Sequence, residues 1–260
     1  LTKALGKLKS KSLYDVRIMT YNLLSDSIGF EGTPANTRSD GICKIINEIK
    51  PDVIGLQEAS RNWRTCIREN TEYTFINPAL TNIQDSMTCI IYNSETLTLL
   101  KSGGYVFKNG KDSRLRKMVW AVFLQKSNGK YFIVINTHFS LSNQNNSTPM
   151  AQASELLELC DNLEEKYNCP LFFVGDFNAR ERNQKGKLSS PVYEKLCTFL
   201  EDTKNISESV SNGKKQSAYA SSNDHIFLKG TAQINQYVIL SQDYIALLSD
   251  HYPIFIDTVV

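Results

Sequence analysis

Apolar residues recur along this chain in short runs that stop abruptly at a polar side chain. Arg17 to Asn22 (RIMTYN), Asp52 to Glu58 (DVIGLQE), Met87 to Tyr92 (MTCIIY) and Met118 to Gln125 (MVWAVFLQ) are rich in β-branched or aromatic residues and bounded by turn formers. Tyr131 to His138 (YFIVINTH), Leu171 to Asp176 (LFFVGD), Asp224 to Leu228 (DHIFL) and Tyr252 to Ile256 (YPIFI) continue the pattern, which predicts strands throughout. Between them Ile42, Ile45, Ile46 and Ile49 stand at i, i+3, i+4 and i+7, predicting a helix with one buried face, capped by Ser39 and ended by Pro51. Leu156, Leu159, Cys160 and Leu163 repeat that spacing, and Ser190-Pro191 opens a third helix with a capping serine and a proline at the first helical position. Trp63 reads as helical and Trp120 as part of a strand. Helices alternate with strands early and strands dominate later, the pattern of an α/β sandwich with sheets inside and helices outside.

No period of repetition and no Ser/Gly/Pro-rich linker divides the chain, so a short N-terminal extension, residues 1–15, is expected ahead of a single domain over 16–260. The chain has 260 residues, 41% hydrophobic and 22% charged, which fits an ordinary globular protein rather than a disordered or fibrous one. A net charge of +2 is too small to mark a protein that coats nucleic acid, and it leaves the substrate open. No apolar run is long enough to predict a transmembrane segment. Leu1 to Ser12 has no apolar signal core, so any export signal is expected to have been removed already; secretion and a cytoplasmic location both stay open. Six cysteines (Cys43, Cys66, Cys89, Cys160, Cys169, Cys197) are scattered without CxxC pairs, which argues against zinc and for free thiols. Sequons at Asn145, Asn146 and Asn205 matter only in a eukaryotic secretory pathway.

The chemistry lies in where the strong strands end. Asn22, Glu58 or His138 taken singly is a turn former, a solvated acid or a satisfied core histidine. LFFVGDFNA is different, because an all-apolar strand runs through a glycine and then presents Asp176 and Asn178. Two residues apart on an extended segment, they are expected to point to one side. A carboxylate beside an amide at the mouth of a buried strand suits water activation and the binding of a phosphate oxygen. Two Asp-His dipeptides follow, Asp224-His225 and Asp250-His251, and all three histidines of the chain are predicted at strand termini.

TYN at 20–22, LQE at 56–58, THF at 137–139, GDFNA at 175–179, NDHIF at 223–227 and SDHYP at 249–253 together resemble the endonuclease/exonuclease/phosphatase superfamily, in order and spacing. The resemblance covers about residues 16 to 258. It implies a four-layered αββα sandwich of the deoxyribonuclease I type and a divalent-metal-dependent hydrolase of phosphate esters, most of all a phosphodiesterase or nuclease. A phosphomonoesterase or phospholipase-type member is the alternative. By this resemblance Asn22, Glu58 and Asp250 form the metal side, with Glu58 the principal ligand. Oxygen donors of this kind suit Mg2+ or Mn2+. Asp176 is expected to orient or deprotonate the attacking water, Asn178 to hold a phosphate oxygen, and His251, paired with Asp224, to contact the scissile phosphate. His138 is expected to stabilise the crowded phosphorus or the leaving oxygen, and Arg116 to face phosphate through its guanidinium.

The region before Cys89 offers Asp85 as the carboxylate partner of His138, where other members carry a glutamate. The tryptophan-rich motif of the inositol 5-phosphatases is absent from SSNDHIF, which argues against that branch. No exposed aromatic hairpin of the membrane-inserting kind is evident. Lys185 to Lys187 and Lys214-Lys215 are candidates for contact with a polyanion, nucleic acid included. A catalytically silent binding module should have lost a member of the set Glu58, Asp176, Asn178, Asp250 and His251, and none is missing. The expected partner is a phosphate-ester substrate and the expected state a monomer.

Overall fold

The computed structural model describes residues 10–13, 15–29, 35–76, 87–108, 116–141, 147–181, 190–211, 223–241 and 244–260. Its strands form two mixed sheets. Helices lie on the outer faces, giving the α/β sandwich expected from the sequence.

The seven-stranded sheet contains β1 (Val16–Asn22), β2 (Val53–Gln57), β3 (Thr74–Ile76), β4 (Cys89–Tyr92), β10 (Val210–Ser211), β12 (Gln233–Ile239) and β13 (Ile254–Val259), in the order β10-β12-β13-β1-β2-β4-β3. The six-stranded sheet contains β5 (Leu97–Val106), β6 (Lys117–Gln125), β7 (Tyr131–His138), β8 (Leu171–Asp176), β9 (Glu201–Asp202) and β11 (Asp224–Lys229), in the order β5-β6-β7-β8-β11-β9. At the heart of each sheet two neighbouring strands run parallel: β1 with β2, Asn22 opposite Gln57, and β7 with β8, His138 opposite Asp176. Both pairs therefore finish at their carboxyl ends with polar side chains. The helices are α1 (Ala35–Ile49), α2 (Arg61–Asn70), α3 (Ser147–Tyr167), α4 (Pro191–Phe199) and the single turn α5 (Thr203–Ile206). None of the described helices is long and apolar enough to cross a membrane.

Alternation within each strand sorts the side chains between layers. In β8, Phe172 and Val174 face the other sheet while Leu171 and Phe173 join Leu156, Cys160, Val192 and Leu196 beneath α3 and α4. The two sheets approach closely at Gly55, where an added Cβ would lie 2.4 Å from Val174 Cγ2 and 2.8 Å from the Asn136 amide. Next to it a buried polar bridge joins the sheets. Gln57 Nε2 donates to Asn136 Oδ1 at 2.7 Å, and Asn136 Nδ2 donates to the carbonyls of Leu56 and Cys89. This bridge is the floor under the polar strand ends.

Several sequence expectations need correction. Ser39 is not a cap: α1 begins a turn earlier at Ala35, because the polar stretch ahead of the isoleucines carries Arg38, which is wholly buried. The last strand starts at Ile254 rather than Tyr252, since Tyr252 and Pro253 lie in the approach to β13, where Leu240 N bonds Pro253 O. The strands read at 52–58 and 87–92 are shorter, Val53–Gln57 and Cys89–Tyr92. Strands β3, β5 and β12 were not apparent from the pattern; β5 alternates poorly because it is half-buried and carries Gly103-Gly104, and β12 (QINQYVI) starts polar. Ser190 does cap α4, its hydroxyl accepting from Tyr193 N at 3.2 Å. All six cysteines are free thiols, with Cys43 and Cys66 Sγ 3.9 Å apart between α1 and α2. Asp85, Asn145, Asn146, Lys185 to Lys187 and Lys214-Lys215 lie outside the described residues.

Candidate active site

The strand ends of the two sheets meet over the Gln57–Asn136 floor. Asp176 closes β8 on the face turned toward the other sheet and is 2% exposed. Its Oδ2 accepts from Asn22 Nδ2 at 3.1 Å across the sandwich, and lies 3.4 Å from His138 Nε2 and 3.8 Å from His251 Nε2. Its Oδ1 accepts from Asn178 N at 2.9 Å. Four sequence-predicted residues are thereby gathered about one carboxylate. The glycine ahead of it is required: Gly175 has φ +152, and a Cβ there would stand 2.2 Å from Thr137 O.

His251 sits in the bend ahead of β13, held by its own backbone N donating to Ser249 Oγ, whose hydroxyl donates to Asn22 O at 2.8 Å. Its Nδ1 lies 2.6 Å from Asp224 Oδ2, the pairing expected from the sequence, and its Nε2 lies 3.9 Å from Asp250 Oδ1. Burial by itself would lower the imidazole pKa, but the charge and hydrogen bond of Asp224, reinforced by Asp176 and Asp250, overcome it and raise the value to about 10. These carboxylates favour the protonated ring.

Glu58 follows β2 directly, beside Asn22 at the end of β1; its Oε2 accepts from Ser25 N at 2.9 Å. Asn22 Oδ1 accepts from Leu24 N at 3.1 Å. Asp250 is the more open acid, with its side chain 39% exposed. Asn178 departs from expectation, because its φ of 48° is left-handed rather than extended, and its Nδ2 donates to Phe139 O at 2.9 Å. Leu24 and Glu58 share that left-handed backbone at φ 53°, so three non-glycine residues at this mouth are conformationally strained.

Arg116 stands just ahead of β6 and is half-buried, its carbonyl accepting from Phe107 N. Its neighbour Lys117 is the residue on the inter-sheet face, since Val119, Ala121 and Phe123 of the same strand pack there. Lys117 is 4% exposed and starts the strand beside the end of β7, a position that sequence pattern alone did not single out. The remaining histidine, His225, faces away from this site into the layer beneath α3 and α4. The site fits a hard cation on chemical grounds: carboxylate oxygens of Asp176 and Asp224 and a ring nitrogen of His251 lie within 4.8 Å of one another, the two acids being the donors while the ring is protonated, and among the described residues Asp224 Oδ1 is buried without a hydrogen-bond partner. Oxygen predominates in that group and in Asn22, Glu58 and Asp250, as divalent magnesium or manganese requires.

A sequence model of the Endonuclease/Exonuclease/phosphatase family matches residues 19–251. No curated protein matches the chain. Among solved structures, an endonuclease/exonuclease/phosphatase from Bacteroides vulgatus is 24% identical, with a TM-score of 0.78 over 94% of this chain and 98% of that one. A mannosyl-6-phosphatase from Bacteroides thetaiotaomicron is 21% identical, with a TM-score of 0.78 over 94% and 100% of the two chains. The catalytic domain of human Nocturnin, with bound sulfate, is 18% identical, with a TM-score of 0.70 over 94% and 93%. The chain belongs to the Endonuclease/Exonuclease/phosphatase family. That membership supports a phosphoesterase, and enzymes of the family generally use divalent metals.

Proposed function

We propose that this family member is a phosphodiesterase, a nuclease being the leading case, that works with Mg2+ or Mn2+. The observation that carries the reading is the convergence of Asn22 Nδ2, His138 Nε2 and His251 Nε2 on a single oxygen of Asp176. Glu58, Asn22 and Asp250 would hold the cation on one side of the cleft, within reach of the Asp176, Asp224 and His251 group. When bound, it would offset the phosphate charge and polarise a phosphoryl oxygen.

The protein groups divide the remaining work. Asp176, fixed by two hydrogen bonds, orients the attacking water and accepts its proton. His251, held as an imidazolium by Asp224, directs its Nε2–H toward the negative oxygens that gain charge as the phosphorus becomes five-coordinate. His138, its Nε2 3.4 Å from Asp176 Oδ2, serves the phosphoryl or leaving oxygen. Asn178, its amide already turned by Phe139 O, binds a phosphate oxygen, and Lys117, on the inter-sheet face, brings the positive charge expected of Arg116, which stands one residue ahead of it. A phosphomonoesterase is the second reading, favoured by the likeness to the Bacteroides thetaiotaomicron mannosyl-6-phosphatase.

The test is hydrolysis of bis(4-nitrophenyl) phosphate, single-stranded DNA and RNA, phosphoinositide, sphingomyelin and sugar monophosphates side by side, with Mg2+, with Mn2+ and with excess chelator. Diester or nucleic-acid cleavage abolished by chelator is the expected result. Turnover that survives the chelator would remove the metal assignment, and preference for the sugar monophosphates would replace the diesterase with the phosphatase. Glu58→Gln should weaken metal binding by roughly tenfold or more while leaving the fold intact, because a charged oxygen ligand is lost at a strand end that is only partly buried. Unchanged affinity by calorimetry would contradict that role.

A further inference from the structure

Arg38 is fully buried, and among the described residues its hydrogen bonds go to backbone carbonyls rather than to an acid. Nη1 donates to Leu23 O at 3.1 Å, Leu24 O at 3.3 Å and Leu248 O at 2.9 Å. Nη2 donates to Leu24 O at 3.2 Å, Ser25 O at 3.0 Å and Ile28 O at 3.1 Å. The guanidinium lies 5.0 Å from the Trp63 ring centroid, and the Trp63 indole N–H also donates to Leu24 O at 3.0 Å. Taking a cation out of water costs several kcal/mol. That cost is offset here because irregular backbone at residues 23–28 and 248 leaves carbonyls outside any ladder, and the four Nη hydrogens of the planar fork are shared among five of those carbonyl oxygens.

The carbonyls served belong to two segments that carry different parts of the site. Residues 23–28 continue from Asn22, and the Ser25 amide is the group that holds Glu58. Leu248 precedes Ser249, which bonds Asn22 O and the His251 amide. One side chain of α1 is thus joined to the metal-side acid through Ser25 and to the phosphate-side histidine through Leu248. The helix also approaches Leu248 directly: a Cβ on Gly41 would lie 2.5 Å from Leu248 Cδ2.

We infer that Arg38 is a positioning residue of the phosphoesterase site, its guanidinium locking the 23–28 segment to Leu248 so that Glu58 and the Asp250-His251 bend keep one separation. What it positions rests on the function proposed above; the clamp itself rests on the six carbonyl hydrogen bonds. The full chain and its Arg38→Lys variant, which keeps the charge and loses the fork, are compared by hydrogen exchange, by Mn2+ binding followed by electron paramagnetic resonance, and by steady-state kinetics. Exchange should quicken at the amides of both segments, 24–28 and 248–251, while the strands of the six-stranded sheet are unaffected. Mn2+ affinity should fall about tenfold and kcat by about 10- to 100-fold, the range for groups that orient a metal site from behind, with KM nearly constant. A lower Tm with kcat and Mn2+ affinity unchanged in the folded protein would reduce Arg38 to a structural residue and overturn the inference. Faster exchange in only one segment would do the same. If the lysine variant does not fold, exchange of the wild type in rising denaturant replaces it: the amides of 24–28 and 248–251 should open together as one unit, and independent opening of the two segments would count against the clamp. If the wild type neither binds Mn2+ nor cleaves any ester, the proposed function fails, and the exchange comparison still decides the clamp.

Discussion

Asp224 and His225 are neighbours on β11, yet they belong to two histidine–carboxylate pairs on opposite faces of one sheet. Asp224 faces the other sheet and holds His251. His225 faces the helices, with Nδ1 3.4 Å from Asp202 Oδ2 and Nε2 2.7 Å from Ala179 O. Phe177, Tyr193 and Phe227 wall that second pair, Phe227 being stacked on the ring at 5.1 Å between centroids. Burial lowers the His225 pKa, but Asp202 through its hydrogen bond and charge raises it overall; burial raises that of Asp202, and His225, Lys204 N and Tyr193 bring it below the ordinary value. In both pairs the partner's charge favours the ionic form against burial, and both are short of water. They differ in commitment: both nitrogens of His225 have partners in the fold, whereas His251 Nε2 meets its two carboxylates only at 3.8 and 3.9 Å. A histidine with one nitrogen left for a ligand is built for chemistry, and one with both nitrogens occupied is built for stability.

The strongest way to break this comparison is to remove the site's own groups. Asp176→Asn and His251→Ala should each lower turnover by about two to four orders of magnitude, the range for a lost general base or charge stabiliser. Substrate binding should change far less. The double variant should be little worse than the poorer single one, because both groups act on one reacting phosphate. Either single variant keeping more than a tenth of wild-type turnover, with a native circular dichroism spectrum, would take that residue out of the chemistry.

Asp224→Asn tests the link between the pair and the cation. Removing the charge nearest His251 should bring its pKa down from about 10 by roughly one to three units, read by NMR titration of the ring. A ring that titrates as in the wild type would mean that Asp176 and Asp250, not Asp224, sustain the imidazolium. The smallest effect on activity belongs to the sealed pair. His225→Gln should cost roughly 3 kcal/mol in urea unfolding, since it leaves Asp202 buried without its cation, while turnover of the folded protein stays within about tenfold. The pH dependence has a defined sign. A raised histidine pKa contributes fully below its ordinary 6.5 and the contribution is lost as pH rises through the folded value. A lowered carboxyl pKa contributes above its ordinary 3.8 and is lost as pH falls through the folded value. The stability gap between wild type and His225→Gln should therefore be widest between about pH 4 and 6.5 and narrow on the alkaline side. A gap that widens toward alkaline pH would rule out the ionic pair.

The residues gathered around Asp176 were legible because each ends or adjoins an apolar run, and a polar side chain at such a place is a local signal. The parallel pairing that sets His138 beside Asp176 follows from the same runs once they are strands. What stayed hidden depends on partners remote in sequence. Arg38 sits in the polar stretch ANTRSD, which reads as a solvated helix start until residues 23–28 and 248 fold over it. Ser249 looks like one more serine beside an acid, and only its bond to Asn22 O gives it a role. The choice between Arg116 and Lys117 turns on which pleat face points inward, which needs the exact start of β6. Asp224 and His225 could be told apart only by that alternation, and Asn178 was read as extended because a left-handed asparagine leaves no pattern in a single sequence.

The left-handed residues have an evolutionary consequence. Besides the three at the mouth, Lys50 at φ 50° and Asn168 at φ 45° occupy this region just past the ends of α1 and α3, each amide closing the last helical turn. Glycine at either place would remove a steric penalty of about 1 kcal/mol and touch no site group. At Glu58 and Asn178 the same exchange would delete the functional side chain. A lineage selected for heat resistance can therefore relax its helix ends freely, while the strain at 58 and 178 must be inherited with the activity.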